Sequence, residues 1–298
     1  MTLRKRVLCL TMKRYLIATA CNKKYEEFLL NHWFRSLKDN VDLSEIDVLI
    51  MDYGLSEDIV QKLSEQGAIV RKANRVDGHI NNTRFLELAD FLKENPAYEQ
   101  VILCDSGDII FQGDISHLFK ESTTQIRAVT EDFSPNMDMI INETKVENAD
   151  EVRKKLWKKQ LINAGFVVYP RDVYIDFVER AFSKVKDSYA WGVDMILLNY
   201  YAYENGFFKL PVIYNFIPTT ARVRYKIEDG IFYIIKNGEK IKVYVVHNAG
   251  GYKAFRPVLK FGYGKNYNIP RPLTIFTLRI FYISLYGLRH LGSIFRKR

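Results

Sequence analysis

The sequence predicts an α/β fold in which a mixed, mostly parallel sheet carries helices on both faces. In the first hundred residues, short apolar strands alternate with helical patterns. In the second half, alternating runs are separated by turns of the Asp-Gly and Asn-Gly type. Ligands of such sheets bind beyond the carboxyl ends of the strands, so these ends are the expected place for a functional site.

The first half of the chain reads as βαβαβ followed by one more helix and strand. Hydrophobic patterning places the strands and helices, and Ser56 is the expected cap of the second helix. The predicted strands cover 14–20, 47–51, 68–71 and 100–103, and the predicted helices cover 25–37, 56–66 and 83–92.

The second half is less regular. It contains a charged helix over 150–160, a strand over 166–169 and a helix over 172–185. Three antiparallel runs then follow over 223–228, 231–236 and 240–246. The sequence has no linker before about residue 265, which predicts one mixed α/β domain over 1–265 and a tail over 266–298.

The net charge of +9 arises from the carboxy-terminal segment of the chain, residues 240–298. The last 59 residues contain 12 Lys and Arg and no acid, whereas the first 239 hold 32 basic and 35 acidic residues. A basic excess confined to one end favours a surface bound by that end over a general nucleic-acid partner, and no nucleic-acid module is present.

Three scattered cysteines and the absence of a signal-peptide pattern indicate a cytoplasmic protein. The oligomeric state is not predicted by the sequence.

Two carboxylates interrupt the apolar stretch that ends the fourth strand. Asp105 and Asp108 flank Ser106 and Gly107, a pair that no buried strand requires. Two carboxylates about 4 Å apart repel by roughly 4 kcal/mol at an effective dielectric of 20, so a fold that brings them together usually supplies a cation. Gly107 would leave the backbone open to a phosphate. The alternative is that both aspartates only end the strand and cap a turn.

A second polar group follows a later strand. His247 is followed by Gly250 and then by Lys253, which gives an imidazole, a flexible loop and a cation within seven residues. A lone histidine is more often structural. Together with an acidic strand end, this set is suited to a metal-bound diphosphate.

These motifs resemble those of nucleotide-sugar glycosyltransferases of the GT-A type, close to family 8, which includes glycogenin and bacterial lipooligosaccharide galactosyltransferases. The similarity runs in order from about residue 15 to residue 257. It comprises Ala18-Thr19 at a strand end, Arg84 opening a helix, the Asp105–Asp108 turn with Ile-Ile-Phe-Gln-Gly-Asp after it, Asn163-Ala-Gly165, Asp194 to Asn199, and His247-x-x-Gly250-x-x-Lys253.

The resemblance implies a Rossmann-like GT-A fold, a Mn²⁺ or Mg²⁺ ion, a nucleotide-sugar donor, most commonly a UDP-sugar, and transfer with retention of configuration to a glycan or lipid-linked acceptor. It also implies a role for each matching position. The nucleotide and its diphosphate would be bound by Ala18, Thr19 and Tyr25 at the base and ribose, by Ser106 in the turn, by Arg84 at the diphosphate or sugar, and by Gly250 and Lys253 at the diphosphate. The metal would be bound by Asp105, Asp108 and His247. The transferred sugar would contact Asp132, Asn163 and Asp194 as catalytic residues.

The chain departs from the family pattern at two positions. Ser106 stands where the first aspartate of the usual Asp-x-Asp motif is expected, so Asp108 is the firmer metal ligand, while Asp105 either binds metal, contacts the ribose or acts through water. Met195 replaces a common Gln, and a thioether cannot replace an amide's hydrogen bonds. Asp194 is a candidate nucleophile or electrostatic support, and front-face attack is equally compatible.

The tail reads as a basic amphipathic helix that lies on an anionic membrane surface at the cytoplasmic face. Two internal arginines argue against a membrane span. The alternative is a helix packed on the domain or on a second subunit. A helical projection of 272–298 places Arg279, Tyr282, Tyr286, Arg289, His290, Ser293, Arg296 and Lys297 on one face, and Phe276, Ile280, Ile283, Leu288, Leu291, Ile294 and Phe295 on the other.

Two other classes of function fit parts of the sequence. A sugar-phosphate nucleotidyltransferase also combines an α/β sheet with metal-binding aspartates, but it needs a Gly-rich loop after the first strand, where this chain has Ala18-Thr-Ala-Cys-Asn22. A non-catalytic carbohydrate- or membrane-binding module is the other class.

Overall fold

The computed structural model describes residues 13–132, 140–250 and 255–295, with side chains up to residue 284. A seven-stranded sheet forms the centre of the molecule, in the strand order β3-β2-β1-β4-β7-β6-β8. Neighbouring strands run parallel except on the two sides of β7, where β4 and β6 run antiparallel to it. The strands are β1 (Tyr15–Cys21), β2 (Ile46–Asp52), β3 (Ile69–Lys72), β4 (Gln100–Cys104), β6 (Ile126–Thr130), β7 (Ile162–Pro170) and β8 (Phe207–Lys209).

Helices cover both faces of this sheet, which confirms the predicted fold class. The side chains of β1 alternate between two hydrophobic cores: Leu16 and Ala18 belong to one, and Tyr15 and Ile17 to the other. The helices are α1 (Glu26–Phe28), α2 (Arg35–Asn40), α3 (Glu57–Glu65), α4 (Ile80–Glu94), α5 (Ala149–Leu156), α6 (Arg171–Phe182), α7 (Val193–Asn205) and α8 (Pro272–Phe295).

A third, smaller core lies under an antiparallel sheet built from β9 (Arg224–Glu228), β10 (Ile231–Lys236) and β11 (Glu239–Lys242). The two turns that join these strands have positive φ at both central residues, at Asp229-Gly230 and Asn237-Gly238, as the predicted hairpins require. The prediction of one run over 240–246 is wrong. The chain leaves the hairpin after Lys242, and β12 (Val245–His247) pairs antiparallel with β5 (Ile109–Phe111).

Several elements differ from their predicted bounds. The helix predicted over 25–37 begins with a 3₁₀ turn at Lys23–Tyr25 and contains a π-helical stretch at Leu29–Phe34. The charged helix predicted to reach residue 160 ends at Leu156, and the strand after it begins earlier, at Ile162. Ser56 occupies the N-cap position of α3 without a side-chain cap bond; its backbone amide donates to Glu26 Oε2 instead.

The last helix, α8, packs on the domain through the face that carries Arg279 and Tyr282. The Arg279 guanidinium donates to the Val223 carbonyl at 3.1 Å, and Tyr282 is half-buried. The opposite face exposes five large apolar side chains: Leu273 (75%), Phe276 (61%), Ile280 (50%), Phe281 (58%) and Ile283 (61%). The apolar side of the helix therefore faces away from the protein over its first three turns. The predicted face assignments beyond residue 284 lie outside the described side chains.

None of the described helices combines the length and the apolar character that crossing a bilayer requires.

Candidate functional site

The Asp105–Asp108 turn marks the point where the chain passes from one sheet to another. β4 ends at Cys104 inside the central sheet, and β5 begins at Ile109 in the two-stranded sheet with β12. The turn is anchored on both sides: the Asp105 amide donates to the Gly165 carbonyl at 2.9 Å, and the Asn248 amide donates to the Asp108 carbonyl at 2.8 Å. The strand breaks here because β5 must pair with the strand that carries His247.

This topology brings both carboxylates to one imidazole nitrogen. His247 Nε2 lies 3.4 Å from Asp105 Oδ2 and 3.3 Å from Asp108 Oδ1. One ligand atom from each of the three residues lies within 4.8 Å of the other two. His247 is buried, while both carboxylates are partly accessible. Two carboxylate oxygens and one imidazole nitrogen form a donor set suited to a divalent cation.

Arginines engage the outer oxygen of each carboxylate. Arg84 Nη1 donates to Asp105 Oδ1, and Arg256 Nη2 lies 3.1 Å from Asp108 Oδ2. The inner oxygens, Asp105 Oδ2 and Asp108 Oδ1, are thereby left facing His247 Nε2. The arginines orient the carboxylates without occupying the atoms that a metal would need.

The metal-free cluster is held together by charge. Burial alone would raise the pKa of Asp105, but the Arg84 and His247 cations outweigh it and hold this pKa well below its usual range. Burial alone would lower the pKa of His247, but the Asp108 and Asp105 carboxylates raise it to about 10. At neutral pH a proton on His247 therefore occupies the position for which a divalent cation would compete.

Asp194 stands behind this cluster at the start of α7. Its Oδ2 lies 3.7 Å from Arg84 Nη2, and its backbone amide donates to Asn82 Oδ1 at 3.1 Å. Arg84 thus bridges Asp105 and Asp194. Burial raises the pKa of Asp194 to about 6, against the opposing effect of Arg84.

The raised pKa of Asp194 predicts a pH-dependent loss of stability. Between about pH 4 and pH 6 the folded protein holds a proton that the unfolded chain releases, so the free energy of unfolding falls as pH rises through this window. A shift of two pKa units corresponds to about 3 kcal/mol. In the metal-free Asp194→Asn variant this loss is absent. The free energy of unfolding of the variant, relative to that of wild type, should therefore rise by roughly this amount between pH 4 and pH 7. Urea unfolding near pH 4 and pH 7 measures the gain; parallel curves would contradict it, because the lost Arg84 contact is a pH-independent offset.

Gly165 provides the space in which the cluster forms. A Cβ at this position would lie 2.2 Å from His247 Cε1 and 2.8 Å from Asp105 Oδ2. Since real Cβ atoms do not approach other atoms this closely, a side chain here would displace the imidazole. The glycine of the Asn163-Ala-Gly165 motif is therefore required by the geometry of the cluster.

We expect Gly165→Ala to abolish tight Mn²⁺ binding, because it forces His247 Nε2 away from the two carboxylates. Gly113→Ala is a matched control: its Cβ would lie 2.8 Å from the Tyr244 ring, outside the cluster. Isothermal titration with Mn²⁺ on both folded variants makes the comparison. Wild-type affinity in Gly165→Ala would show that His247 does not participate in metal binding.

The residues expected to bind the nucleotide differ in how deeply they are buried. Ala18 and Thr19 are fully buried within the central sheet, and the Thr19 hydroxyl donates to the Cys104 carbonyl at 2.8 Å. Ser106 is also buried, and its hydroxyl donates to the Ala20 carbonyl at 2.8 Å. The hydroxyls of Thr19 and Ser106 hold the ends of β1 and β4 together. Tyr25, the last residue of the 3₁₀ turn after β1, is partly exposed.

Gly107 lies against the Tyr25 side chain, whereas the sequence suggested that a phosphate would approach it. The Tyr25 ring lies against it, and a Cβ on Gly107 would be 2.8 Å from Tyr25 Cδ1. The glycine thus admits an aromatic ring beside the two carboxylates, where the sequence suggested open backbone for a phosphate. Tyr25 is brought to the cluster by this contact.

The other predicted site residues, Asp132, Asn163 and Gly250, form hydrogen bonds with neighbouring segments. Asp132 accepts a hydrogen bond from the Arg222 amide at 2.9 Å, and Asn163 is buried with its amide engaged by Glu131 and Gly165. Gly250, at φ +147°, offers its carbonyl to the Arg256 guanidinium. Lys253 lies outside the described residues.

Three residues of the site were not assigned from the sequence: Arg256, Asn215 and Glu131. Arg256 follows the predicted lysine by three positions and was visible as a cation in the same loop. Asn215 and Glu131 carry no local signal, because both reach the cluster only through the packing of distant segments. Burial raises the pKa of Glu131 above its usual value, with Asn163 opposing this effect.

No protein-family model matches the sequence, and no curated protein sequence matches it significantly. Solved structures do match. WbbM, a bifunctional glycosyltransferase, aligns with 83% of this chain at a TM-score of 0.55 and 13% identity. This chain spans about half, 47%, of the WbbM chain.

The second match is LgtC. An active-site mutant of LgtC aligns with 81% of this chain and 89% of its own at a TM-score of 0.50 and 16% identity. The galactosyltransferase LgtC in complex with donor and acceptor sugar analogues aligns with 82% of this chain and 90% of its own, at a TM-score of 0.49 and 16% identity. The resemblance to GT-A glycosyltransferases that the motifs predict is confirmed at the level of the fold, which this chain shares with WbbM and LgtC.

Proposed function

We propose that this protein is a metal-dependent glycosyltransferase that moves a sugar from a nucleotide-sugar donor, a UDP-sugar in the first instance, to a glycan or glycolipid at a membrane surface. The observation that carries the proposal is the convergence of Asp105, Asp108 and His247 beyond the end of β4, in a fold shared with glycosyltransferases. Transfer with retention of configuration is part of the proposal and rests on the family resemblance.

The metal would be held by Asp105 Oδ2, Asp108 Oδ1 and His247 Nε2, the three atoms that face one another in the cluster. A bound Mn²⁺ or Mg²⁺ supplies Lewis-acid stabilisation of the negative charge that develops on a departing nucleoside diphosphate. Arg84 and Arg256 hold the two carboxylates in position from their outer sides.

Arg256 also fits a role toward the diphosphate. Its guanidinium already lies beside Asp108 and the Gly250 carbonyl, in the loop where the resemblance expects the phosphate-neutralising Lys253. A cation in this place stabilises the leaving group electrostatically, which is the largest contribution available to such a reaction. Gly250 has a φ of +147°, a backbone conformation that favours glycine.

The transferred sugar would lie toward Asp194 and Asp132, with Asn163 behind them. Asp194 is buried beside Arg84, and it either attacks the anomeric carbon or stabilises positive charge there. Front-face attack, with the leaving phosphate as base, fits the same residues. Tyr25 would contact the base and ribose, with Ala18, Thr19 and Ser106 shaping the strand ends below it.

Attachment to an anionic membrane would use α8. The helix binds the domain through Arg279 and leaves five large apolar side chains exposed on its outer face. Exposed apolar patches mark sites of interaction with membranes or other proteins. The neighbouring edge strand β9 adds the exposed cations Arg224 and Lys226. We therefore propose a peripheral protein at the cytoplasmic face of the membrane, with residues 1–265 as the catalytic domain and residues 266–298 as the membrane-binding tail.

Release of nucleoside diphosphate tests the proposal directly. The protein is incubated with a panel of nucleotide sugars and Mn²⁺, and product is followed with and without excess chelator. We expect hydrolysis or transfer with one donor that disappears in chelator. Full activity in chelator contradicts the metal role.

The two other classes of function predict different results when the protein is incubated with nucleotide sugars. Pyrophosphate-dependent formation of a sugar phosphate would identify a nucleotidyltransferase. Binding of nucleotide sugar without turnover, in the presence of metal, would identify a non-catalytic module.

A further inference from the structure

A chain of buried side chains leads from Glu131 to the candidate metal ligand His247. Glu131 Oε1 accepts from Asn163 Nδ2 at 2.7 Å, Asn163 Oδ1 accepts from Asn215 Nδ2 at 3.3 Å, and Asn215 Oδ1 lies 3.2 Å from His247 Nδ1. Asn215 is 1% exposed and His247 is 2% exposed. The bond between Asn215 and His247 is therefore shielded from bulk water.

One backbone amide determines which group donates and which accepts in each hydrogen bond from Asn163 to His247. The Gly165 amide donates to the Asn163 side chain at 2.9 Å, and a backbone N–H can only donate, so the atom that it meets is the oxygen of Asn163. The group of Asn215 that faces this oxygen must then be its amine. The opposite end of Asn215, toward His247, is consequently its oxygen, which can only accept.

We propose that Asn215 is a positioning residue that accepts the Nδ1 proton of His247, so that Nε2 is the ring nitrogen that faces the metal site and gives up its proton when a metal binds. The inference rests on the proposed metal site. An outer hydrogen bond of this kind fixes the tautomer and the ring orientation of a metal-ligating histidine. Asn163 contributes by setting the polarity of Asn215.

The backbone holds Asn215 beside His247. Asn215 follows a short helical turn, Val212–Tyr214, and the next residue, Phe216, forms a bridge with β12. The Phe216 amide donates to the Val245 carbonyl, and the His247 amide donates to the Phe216 carbonyl, both at 2.9 Å. The two side chains are therefore placed together by a parallel pairing and need no mobile segment to meet.

Metal affinity and the protonation of the imidazole ring test this role. Isothermal titration with Mn²⁺ should show Asn215→Leu binding on the order of 10- to 100-fold more weakly than wild type. Asn215→Asp keeps an oxygen opposite Nδ1 and should recover most of the affinity. Nitrogen NMR of the Mg²⁺-loaded, histidine-labelled protein should show His247 protonated at Nδ1 only, with the signal assigned by its loss in His247→Gln.

Gln112→Leu is the matched control. Gln112 is also a buried amide, bonded to the Val243 carbonyl and the Phe232 amide, and it does not contact the cluster. Its loss should lower stability without changing Mn²⁺ affinity. If Asn215→Leu does not fold, the ring protonation of the wild type decides the question alone.

Two results would overturn the proposal: a folded Asn215→Leu that binds Mn²⁺ like wild type, or a metal-loaded wild type with the His247 proton on Nε2. A wild type that binds no Mn²⁺ removes the metal site and the inference together. Failure of every nucleotide sugar to turn over, with Mn²⁺ binding that still responds to Asn215, would instead reject the transferase function alone.

Discussion

Asp108→Asn should lower donor turnover by on the order of a hundredfold or more while leaving the protein folded. The change removes the charge of a proposed metal ligand, one oxygen of which faces His247 Nε2 at 3.3 Å. Asp108 is partly accessible, and its remaining partner, Arg256, retains its bonds to the Gly250 carbonyl. The loss should therefore fall on metal binding and catalysis, measured by nucleoside diphosphate release across a range of Mn²⁺ concentrations.

Asp105→Asn should behave differently, because Asp105 is also the main counter-charge of buried Arg84. Removing one partner of such a pair costs on the order of 3 kcal/mol of stability. We therefore expect a marked fall in the thermal unfolding temperature of Asp105→Asn in addition to weaker Mn²⁺ binding. Turnover should still be lower in Asp108→Asn, as the register of the turn predicts.

Asp90→Asn serves as the control for both changes. Asp90 pairs with Arg75 at the surface, where ion pairs contribute little, so turnover and stability should stay near wild type. Wild-type turnover in Asp108→Asn would remove the proposed site, and equal unfolding temperatures for the two cluster variants would contradict the structural role of Asp105.

Removal of residues 272–298 should sharply weaken binding to anionic vesicles and leave donor hydrolysis intact. Each basic residue near an anionic surface contributes about 1 kcal/mol, and the exposed apolar residues add burial. A subtler variant keeps the helix and changes only its outer face. Replacing Phe276, Ile280 and Ile283 together by Ser should remove about 1 kcal/mol for each side chain, and hence weaken binding about a hundredfold.

Co-sedimentation with phosphatidylglycerol-containing vesicles, against pure phosphatidylcholine, measures this effect. Raised salt should weaken the binding of the intact protein, since exposed charges are screened. Val76→Ser is the control, because Val76 is an equally exposed apolar residue far from the tail in sequence. Equal vesicle binding by all variants would show that α8 is only a packing helix and would withdraw the preference for a lipid-linked acceptor.

The sequence by itself determined the elements with strong local signals. The alternation of buried strands and helices, the two hairpin turns and the acidic strand end are read from neighbouring residues, since propensity and periodicity act over a few positions. Asp105 and Asp108 were recognisable because two carboxylates among apolar residues conflict with burial. The family resemblance joined them to His247 through the order of the motifs.

Only the tertiary structure decided how those parts meet. The strand that carries His247 continues no hairpin but pairs with β5, and this pairing sets the distances within the cluster. Arg256, Asn215 and Glu131 become part of the site through contacts between segments 30 to 150 residues apart, which no local pattern encodes. Likewise, a helical projection separates the two faces of α8, but the contact of Arg279 with Val223 decides that the apolar face is the one turned outward.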